Sequence, residues 1–402
     1  MSARVLCVAD VRFPVERANG IQTMETCAAL ARRGCDVRLV VRPDTAAPAR
    51  DPFEYYGVER DPRLSIERVR VGGTAPMRRI GLLIGAMARA RTGGREDVIL
   101  TRDLGFASLY LRARRRDSAC LVYESHGFAP AVSRERPSML TGAAAPSPGK
   151  QARLERREAN VWRRADGYAT ITRGLADELE GRFGPRAALA VVADGARLEA
   201  GAAFVARVPR SPAVVGYSGH LYPWKGVDVL LDALAALPDV KGIVVGGHPR
   251  ETDLERLRAR AHSLGLGARV TFTGMVRPRE VAAHLEPADV LVLPNPASAT
   301  SGRYTSPLKL FEYLAMGRPI VASDLPAFRE VVRHGENALL FEAGNAAALA
   351  EALRTVVGHP ALAESLGRRA FETARGYSWD ARAERLEKLF REALDRRARS
   401  EE

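Results

Sequence analysis

The stretch that most constrains this chain is Ser306–Pro319, SPLKLFEYLAMGRP. It reads as one complete short helix. Ser306 can cap the first turn, and Pro307 stands where a missing N–H is harmless. Gly317 suits the left-handed residue after the last turn, with Pro319 beyond it as a stop. An apolar strand, Asp289–Pro294, precedes the helix and another, Pro319–Ser323, follows it. A loop leaving a buried strand therefore delivers a helix N-terminus to the carboxyl edge of a sheet, where α/β folds hold anionic ligands. Glu312 is out of place among Leu308, Phe311, Tyr313, Leu314 and Ala315. A carboxylate on so apolar a helix is costly to bury unless something hydrogen-bonds it. Ligand hydroxyls would do so, and so would a structural partner such as an arginine.

At 402 residues the chain is long for a single core, so two domains are expected. No apolar run approaches the ~20 residues of a membrane-spanning helix. Val5–Ala9 is too short for the core of a signal peptide. Cys7, Cys27, Cys35 and Cys120 are scattered and form no Cys-x-x-Cys, so neither a disulfide framework nor a zinc site is expected. A cytoplasmic location fits these features. The net charge of +13 is carried mostly by arginine, in runs at Arg112–Arg116 and Arg153–Arg164. An anionic substrate, an anionic membrane surface or solvated helix faces would each account for it. No nucleic-acid module accompanies it, so nucleic acid is not expected as a partner.

The first half opens with strand Arg4–Ala9, a loop through Asn19 and Gly20, helix Thr23–Arg33 and strand Val37–Val41, which makes a βαβ unit. Its first turn lacks Gly-x-Gly-x-x-Gly, which argues against a dinucleotide cofactor. Residues 43–64 read as loop and 129–150 as a mobile loop. Arg78–Arg91 reads as an amphipathic helix that packs on the sheet or lies on an anionic bilayer. Strands Val98–Thr101 and Ala119–Tyr123 end in polar clusters, Arg102-Asp103 and Glu124-Ser-His126-Gly, and Asp10 stands after the first strand. After a weakly patterned stretch near 186–212 comes a second series of strands: Ala213–Ser218, Gly242–Gly246, Arg269–Thr273, Asp289–Pro294 and Pro319–Ser323. Strand–helix alternation on both sides of a break predicts two doubly wound domains rather than a barrel. The tail from Ala346 reads as helical throughout. The expected division is 1–195 for the N-terminal domain and 196–377 for the C-terminal one, with a final helix, about 378–402, packing back on the first.

The first strand of the second series runs into Gly219-His-Leu-Tyr-Pro-Trp-Lys225-Gly226, ahead of helix Val227–Ala236. A lysine at a strand-to-helix turn is a point charge suited to phosphate, reinforced by the positive helix end. A lone loop lysine is otherwise simply solvated. Two helix N-termini at the same sheet edge, one with Lys225 and one with Ser306-Pro307, favour a diphosphate.

Gly216–Leu231, Phe272–Val276 and Ser306–Pro319 together resemble the signature segments of glycosyltransferase family 4, retaining enzymes of the GT-B fold that use sugar nucleotides. The resemblance extends more weakly to Asn19-Gly20, Glu124–Gly127 and Asp194-Gly195. It implies an α/β GT-B fold, two Rossmann-like doubly wound domains facing a central cleft, the second binding the donor and the first the acceptor. By position, Glu312 would bind the nucleotide ribose. Lys225 would neutralise the diphosphate, helped by backbone amides around Ser306, Pro307, Leu308 and Lys309 and by Gly219. Val276 would contact the base, Gly20 would approach the phosphates, and His126 would touch the donor sugar. Asp10, Asn19, Arg102 and Asp103 are the acceptor-side candidates. Two positions depart from the family pattern: Tyr304 stands where a glutamate is frequent, eight residues before Glu312, and His220 where an arginine is frequent, five before Lys225.

The implied activity is retaining transfer of a sugar from a nucleoside-diphosphate sugar to a hydroxyl acceptor, in glycan, cell-surface polysaccharide or glycosylated-metabolite synthesis. The leaving phosphate takes the acceptor's proton, and Lys225, His126 and His220 are the catalytic candidates. No Asp-x-Asp is present to hold a metal, and no cofactor is expected beyond the co-substrate. The expected partners are the nucleotide sugar and the acceptor, with peripheral contact to an anionic membrane as a further option. Two rivals stand beside this activity: a catalytically silent sugar-nucleotide or partner-binding relative, and a GT-B sugar-nucleotide epimerase.

Overall fold

The computed structural model describes residues 3–69, 72–139, 144–199, 201–249, 251–298 and 302–399. The chain separates into two compact units. One holds the described residues of 3–137, 144–194 and 379–399, and the other those of 138–139 and 195–378.

The first unit is built on a seven-stranded sheet. Its strands are β1 (Arg4–Arg12), β2 (Asp36–Arg42), β3 (Leu64–Arg68), β4 (Val98–Thr101), β5 (Cys120–Ser125), β6 (Gly167–Thr170) and β7 (Leu189–Val191), in the order β3-β2-β1-β4-β5-β6-β7. Every pairing is parallel. β4, β5 and β6 are buried along their whole length, as central strands covered on both faces must be. The winding direction reverses between β1 and β4, so the segments after these neighbouring strands part to opposite sides and leave a crevice at their carboxyl ends.

The second unit repeats the plan with six parallel strands: β8 (Ala213–Ser218), β9 (Val240–Val245), β10 (Val270–Gly274), β11 (Val290–Leu293), β12 (Ile320–Ser323) and β13 (Leu339–Phe341). Their order is β10-β9-β8-β11-β12-β13, with the reversal between β8 and β11. The loops that leave those two strands carry Lys225 and Ser306-Pro307.

Several sequence expectations need correction. Asn19 and Gly20 belong to the first turn of helix Ala18–Arg32, not to a loop. Residues 43–64 contain helix Pro52–Tyr56, capped by Asp51 and ended by Gly57 at φ 64°, and β3 begins at Leu64. Residues 129–150 hold helix Ala129–Met139 and the start of helix Pro148–Arg164, which Ser147 caps. The stretch near 186–212 supplies β7, and β13 carried no sequence expectation. The organising helix spans Leu308–Met316, with Pro307 rather than Ser306 in the capping position; Gly317 takes the left-handed conformation at φ 62°.

The final helix, Trp379–Arg399, belongs to the first unit and is anchored by Arg382, whose side chain is fully buried. Its guanidinium donates to Thr26 Oγ1 at 3.0 Å, to the Val192 and Ala193 carbonyls at 2.7 and 2.9 Å, and to Glu124 Oε2 at 2.6 Å.

Candidate functional site

In the second unit, β8 ends at Ser218 and the chain turns through Gly219 into the short 3-10 helix Pro223–Lys225. Gly226, at φ 76°, starts helix Val227–Ala235, and any Cβ there would overlap the Pro294 carbonyl oxygen. Asn295 Nδ2 donates to the Trp224 carbonyl at 3.4 Å. The lysine turn is thus pressed against the start of the loop after β11. Tyr313, from helix Leu308–Met316, fixes the third side. Its hydroxyl accepts from the Ser218 backbone N–H at 2.7 Å and meets Ser218 Oγ at 3.2 Å.

Two lysines converge here. Lys225 is half-buried, with no carboxylate within salt-bridge distance among the described residues, and burial pulls its ammonium below the ordinary range. Lys309 is only 8% exposed. Its Nζ lies 3.7 Å from the centre of the Tyr217 ring and makes no hydrogen bond. Burial first, then repulsion from Lys225, pushes Lys309 well below its usual range, with Glu312 opposing them. Gly219, at φ 123°, keeps the space beside Nζ open; a Cβ there would come within 3.0 Å of it.

His220 stacks on Tyr222 at 5.0 Å, and Tyr222 stacks on Trp224 at 4.5 Å. Its Nδ1 is 3.5 Å from Glu251, which the Tyr222 hydroxyl also contacts. The ring at position 220 is thus held against Tyr222 and Glu251. Tyr304 is buried, Ser306, Pro307 and Glu312 are half-buried, and Leu308 is buried in the helix's first turn. Val276 is half-buried just past β10, at the sheet's edge.

The first unit's polar residues gather at its own reversal point. Asp10 pairs with Arg42 at 2.9 Å and with Arg79. Asp103 caps helix Leu104–Ala113 through the Phe106 N–H at 2.6 Å and also pairs with Arg79. Arg102 donates to Gln22 Oε1 at 3.1 Å, and Gln22 donates to Glu124 Oε1 at 2.6 Å. The same carboxylate holds His126 Nε2. Burial by itself would raise the Glu124 carboxyl, but the Arg382 charge, the His126 contact and the Arg102 charge together hold it well below the usual carboxylate range. Burial and the nearby Arg102 charge bring the His126 imidazole down to about 4, so it is neutral near pH 7. A neutral ring that donates from Nε2 to Glu124 presents Nδ1 as an acceptor. Burial raises Asp194, beside Arg382 at 3.8 Å, to about 7.

Gly20 has a packing reason of its own: a Cβ would strike the Tyr56 hydroxyl and Val15. Asn19 Oδ1 is buried without a partner. Arg382 was beyond sequence reasoning, because 258 positions separate it from Glu124. Among the described residues, no group of three or more His, Cys, Asp or Glu side chains is placed to hold a metal ion.

Two family models match the chain: a "glycosyl transferase 4-like domain" over residues 20–195 and "glycosyl transferases group 1" over 212–359. A phosphatidyl-myo-inositol mannosyltransferase of Mycobacterium leprae is 37% identical over 172 residues, 42% of this chain and 43% of that protein. A D-inositol 3-phosphate glycosyltransferase of Rhodococcus opacus is 30% identical over 299 residues, 70% of this chain and 64% of that one. The chain spans about half the length of most of the curated relatives it matches. Among solved structures, sucrose-phosphate synthase from Thermosynechococcus elongatus superposes with a TM-score of 0.73 at 20% identity, over 97% of this chain and 98% of that one. Anabaena HepE in complex with UDP-glucose gives 0.66 at 20% identity, over 96% and 99%. The two models cover most of the chain, each falls within one doubly wound unit, and the chain belongs to the family 4-like glycosyltransferases of the GT-B fold.

Proposed function

We propose that this protein is a retaining glycosyltransferase that moves a sugar from a nucleoside-diphosphate sugar to a hydroxyl acceptor, with the donor held by the second unit. The observation that carries this reading is the pair of lysines, Lys225 and Lys309, at the β8/β11 reversal, where neither has a carboxylate within salt-bridge distance among the described residues. Two lysines close enough to repel one another at the carboxyl edge of a parallel sheet are both held charged most readily by an anion beside them. By the family resemblance, Glu312, one turn into the same helix, would accept from ribose hydroxyls, and Val276 would meet the base.

In this reading the protein supplies no nucleophile. The bond to the anomeric carbon breaks, negative charge grows on the leaving diphosphate, and that phosphate takes the acceptor's proton. Lys225 and the N-terminus of helix Leu308–Met316 stabilise the growing charge. By the family resemblance His126 of the first unit would touch the donor sugar, and Asp10, Asn19, Arg102 and Asp103 are the acceptor-side candidates. Retention rests on the family resemblance, as does independence from a metal. The curated relatives are named for inositol acceptors, so inositol and its phosphates lead the acceptor panel.

The same reading includes peripheral membrane contact. Helix Ala75–Ala90 buries Leu82, Ala86 and Ala90, while Met77, Ile80 and Ile84 are 59, 57 and 66% exposed. No helix among the described residues is long and apolar enough to cross a membrane.

The test is a thermal-shift panel of UDP, GDP, ADP and their sugars, followed by product analysis with inositol acceptors. Binding raises apparent stability by mass action, so the correct nucleotide stands out. Binding without sugar transfer to any acceptor would favour the silent relative. No shift with any member would remove the donor site.

A further inference from the structure

We infer that the Lys309 side chain is itself a phosphate-binding group, a second ammonium that meets the diphosphate together with Lys225 and stands in for the side chain that His220 cannot extend. The inference rests on the donor-site reading and adds a side-chain role to a residue whose backbone alone was expected to contribute.

Three observations carry it. Lys309 is more than nine-tenths buried, and its Nζ finds no hydrogen-bond acceptor. A buried, unsatisfied ammonium is expensive, and folds keep one only where a ligand or a proton equilibrium relieves it. The groups that face it cannot relieve it. Tyr217 offers a ring face at 3.7 Å, Lys225 offers a like charge, and Glu312 on the same helix attracts Nζ through space but accepts no hydrogen bond from it. Finally, the open side of Nζ is bounded by Gly219, where a Cβ would intrude to 3.0 Å. This cradle lies beside the turn that carries Lys225, at the reversal point where an anion would be held.

A physical consequence separates this role from a structural one. Without a bound anion, the surroundings of Nζ, with Tyr217, Tyr313, Lys225 and Glu312 as their titratable neighbours, favour the neutral amine of Lys309. A phosphate favours the ammonium. Binding therefore draws one proton from solvent onto Nζ at any pH between the two ionisations.

The experiment compares the full-length wild type with Lys309→Met and Lys309→Gln. Titrations with UDP, GDP and ADP, and with the matching nucleosides, are run calorimetrically in buffers of different ionisation enthalpy. A pH of about 8 keeps the phosphate itself fully ionised, since its second ionisation lies near 6. The expected result is proton uptake by the wild type on binding the cognate nucleoside diphosphate, and less uptake by either variant. Affinity for the diphosphate should fall about 10- to 100-fold in the variants, while affinity for the nucleoside stays unchanged. Without ligand, Lys309→Met should melt about 2–4 °C higher, because a buried unpaired amine has gone. Equal diphosphate affinity in wild type and variant overturns the inference and leaves the donor site standing. Should neither variant fold, the wild-type proton count decides, and absence of uptake overturns it. A wild type that binds none of the diphosphates overturns the donor site and this inference together.

Discussion

The two units are wound alike, and their reversal points are wired in opposite ways. At the β1/β4 edge nearly every charge already has a protein partner: Asp10 with Arg42 and Arg79, Asp103 with a helix end and Arg79, Glu124 with Arg382 and His126. At the β8/β11 edge Lys225 and Lys309 repel one another, and among the described residues neither has a carboxylate within salt-bridge distance. The first edge is a finished electrostatic structure that can present neutral His126 in a fixed tautomer. The second leaves two lysine side chains without such pairing among the described residues, and in the proposed function an anion supplies it. The same fold therefore spends its charged residues on internal pairing in one place and leaves them open to a ligand, on the proposed reading, in the other.

The largest test of this contrast is Arg382. Replacing it by methionine leaves Glu124 and Asp194 buried without their guanidinium, which should cost about 3–5 kcal/mol of stability. Denaturant unfolding of Arg382→Met would show it directly, as an earlier midpoint for the first unit. The mirror-image change, Lys309→Met, should raise the melting temperature. If both variants melt below the wild type by similar amounts, the two edges are not wired differently and the contrast fails.

Lys225 comes next. Lys225→Ala should lower turnover about 100- to 1000-fold, the scale of removing one group that stabilises charge developing in the transition state. Nucleoside diphosphate binding should weaken, and nucleoside binding should hold. Lys225→Arg should recover only part, because a planar fork does not replace a compact ammonium. Wild-type turnover in purified Lys225→Ala would make it a surface lysine.

The second unit was the more legible of the two, for a physical reason. Its site is local: a strand end, a Gly-flanked lysine turn, and a helix whose cap, stop and misplaced glutamate all lie within Ser306–Pro319. Periodicity and turn chemistry report such features well, and β8 and β4 were read to the residue. Errors concentrated where elements were short. β7 and β13 have three residues each, too few to show a period, and helix Pro52–Tyr56 hides in a Pro- and Asp-rich run. The 129–150 segment misled because prolines and small residues mask helices that tertiary contacts support. The first unit's network was illegible for another reason. Arg382, Glu124 and Gln22 lie in distant parts of the sequence, and only folding brings them together. Lys309 was visible, but nothing in a sequence says that a lysine on a half-apolar helix points inward over a tyrosine ring.

Glu312 sharpens the second edge at smaller magnitude. Glu312→Gln should weaken binding of the cognate nucleoside diphosphate by roughly 1.5–3 kcal/mol, the worth of a charged hydrogen bond to a ribose hydroxyl. The matching 2′,3′-dideoxynucleotide should bind the wild type and the variant almost equally, because the bonded hydroxyls are gone from the ligand. Melting without ligand should be little changed. A variant that melts much lower yet binds the diphosphate normally would assign Glu312 to the fold.

The smallest expected effect on the protein itself concerns helix Ala75–Ala90, where the contrast runs between two faces of one element. Leu82, Ala86 and Ala90 are buried on one side, while Met77, Ile80 and Ile84, spaced i, i+3, i+7, form an exposed stripe on the other. The arginines around it are less available than their number implies. Arg79 is committed to Asp10 and Asp103, Arg89 to Glu67, and Arg78 donates to the Gly73 carbonyl at 2.9 Å. Membrane contact through this helix should then depend mainly on the apolar stripe and only weakly on salt. The double variant Ile80→Ser/Ile84→Ser should change stability by less than ~0.5 kcal/mol, since neither side chain is buried. Its co-sedimentation with vesicles containing anionic lipid should nevertheless fall, whereas raising salt should weaken wild-type binding only modestly. Unchanged sedimentation of the double variant would remove this face from the membrane. Complete loss of wild-type binding at moderate salt would assign the contact instead to the exposed arginines elsewhere, such as those at 112, 115 and 116.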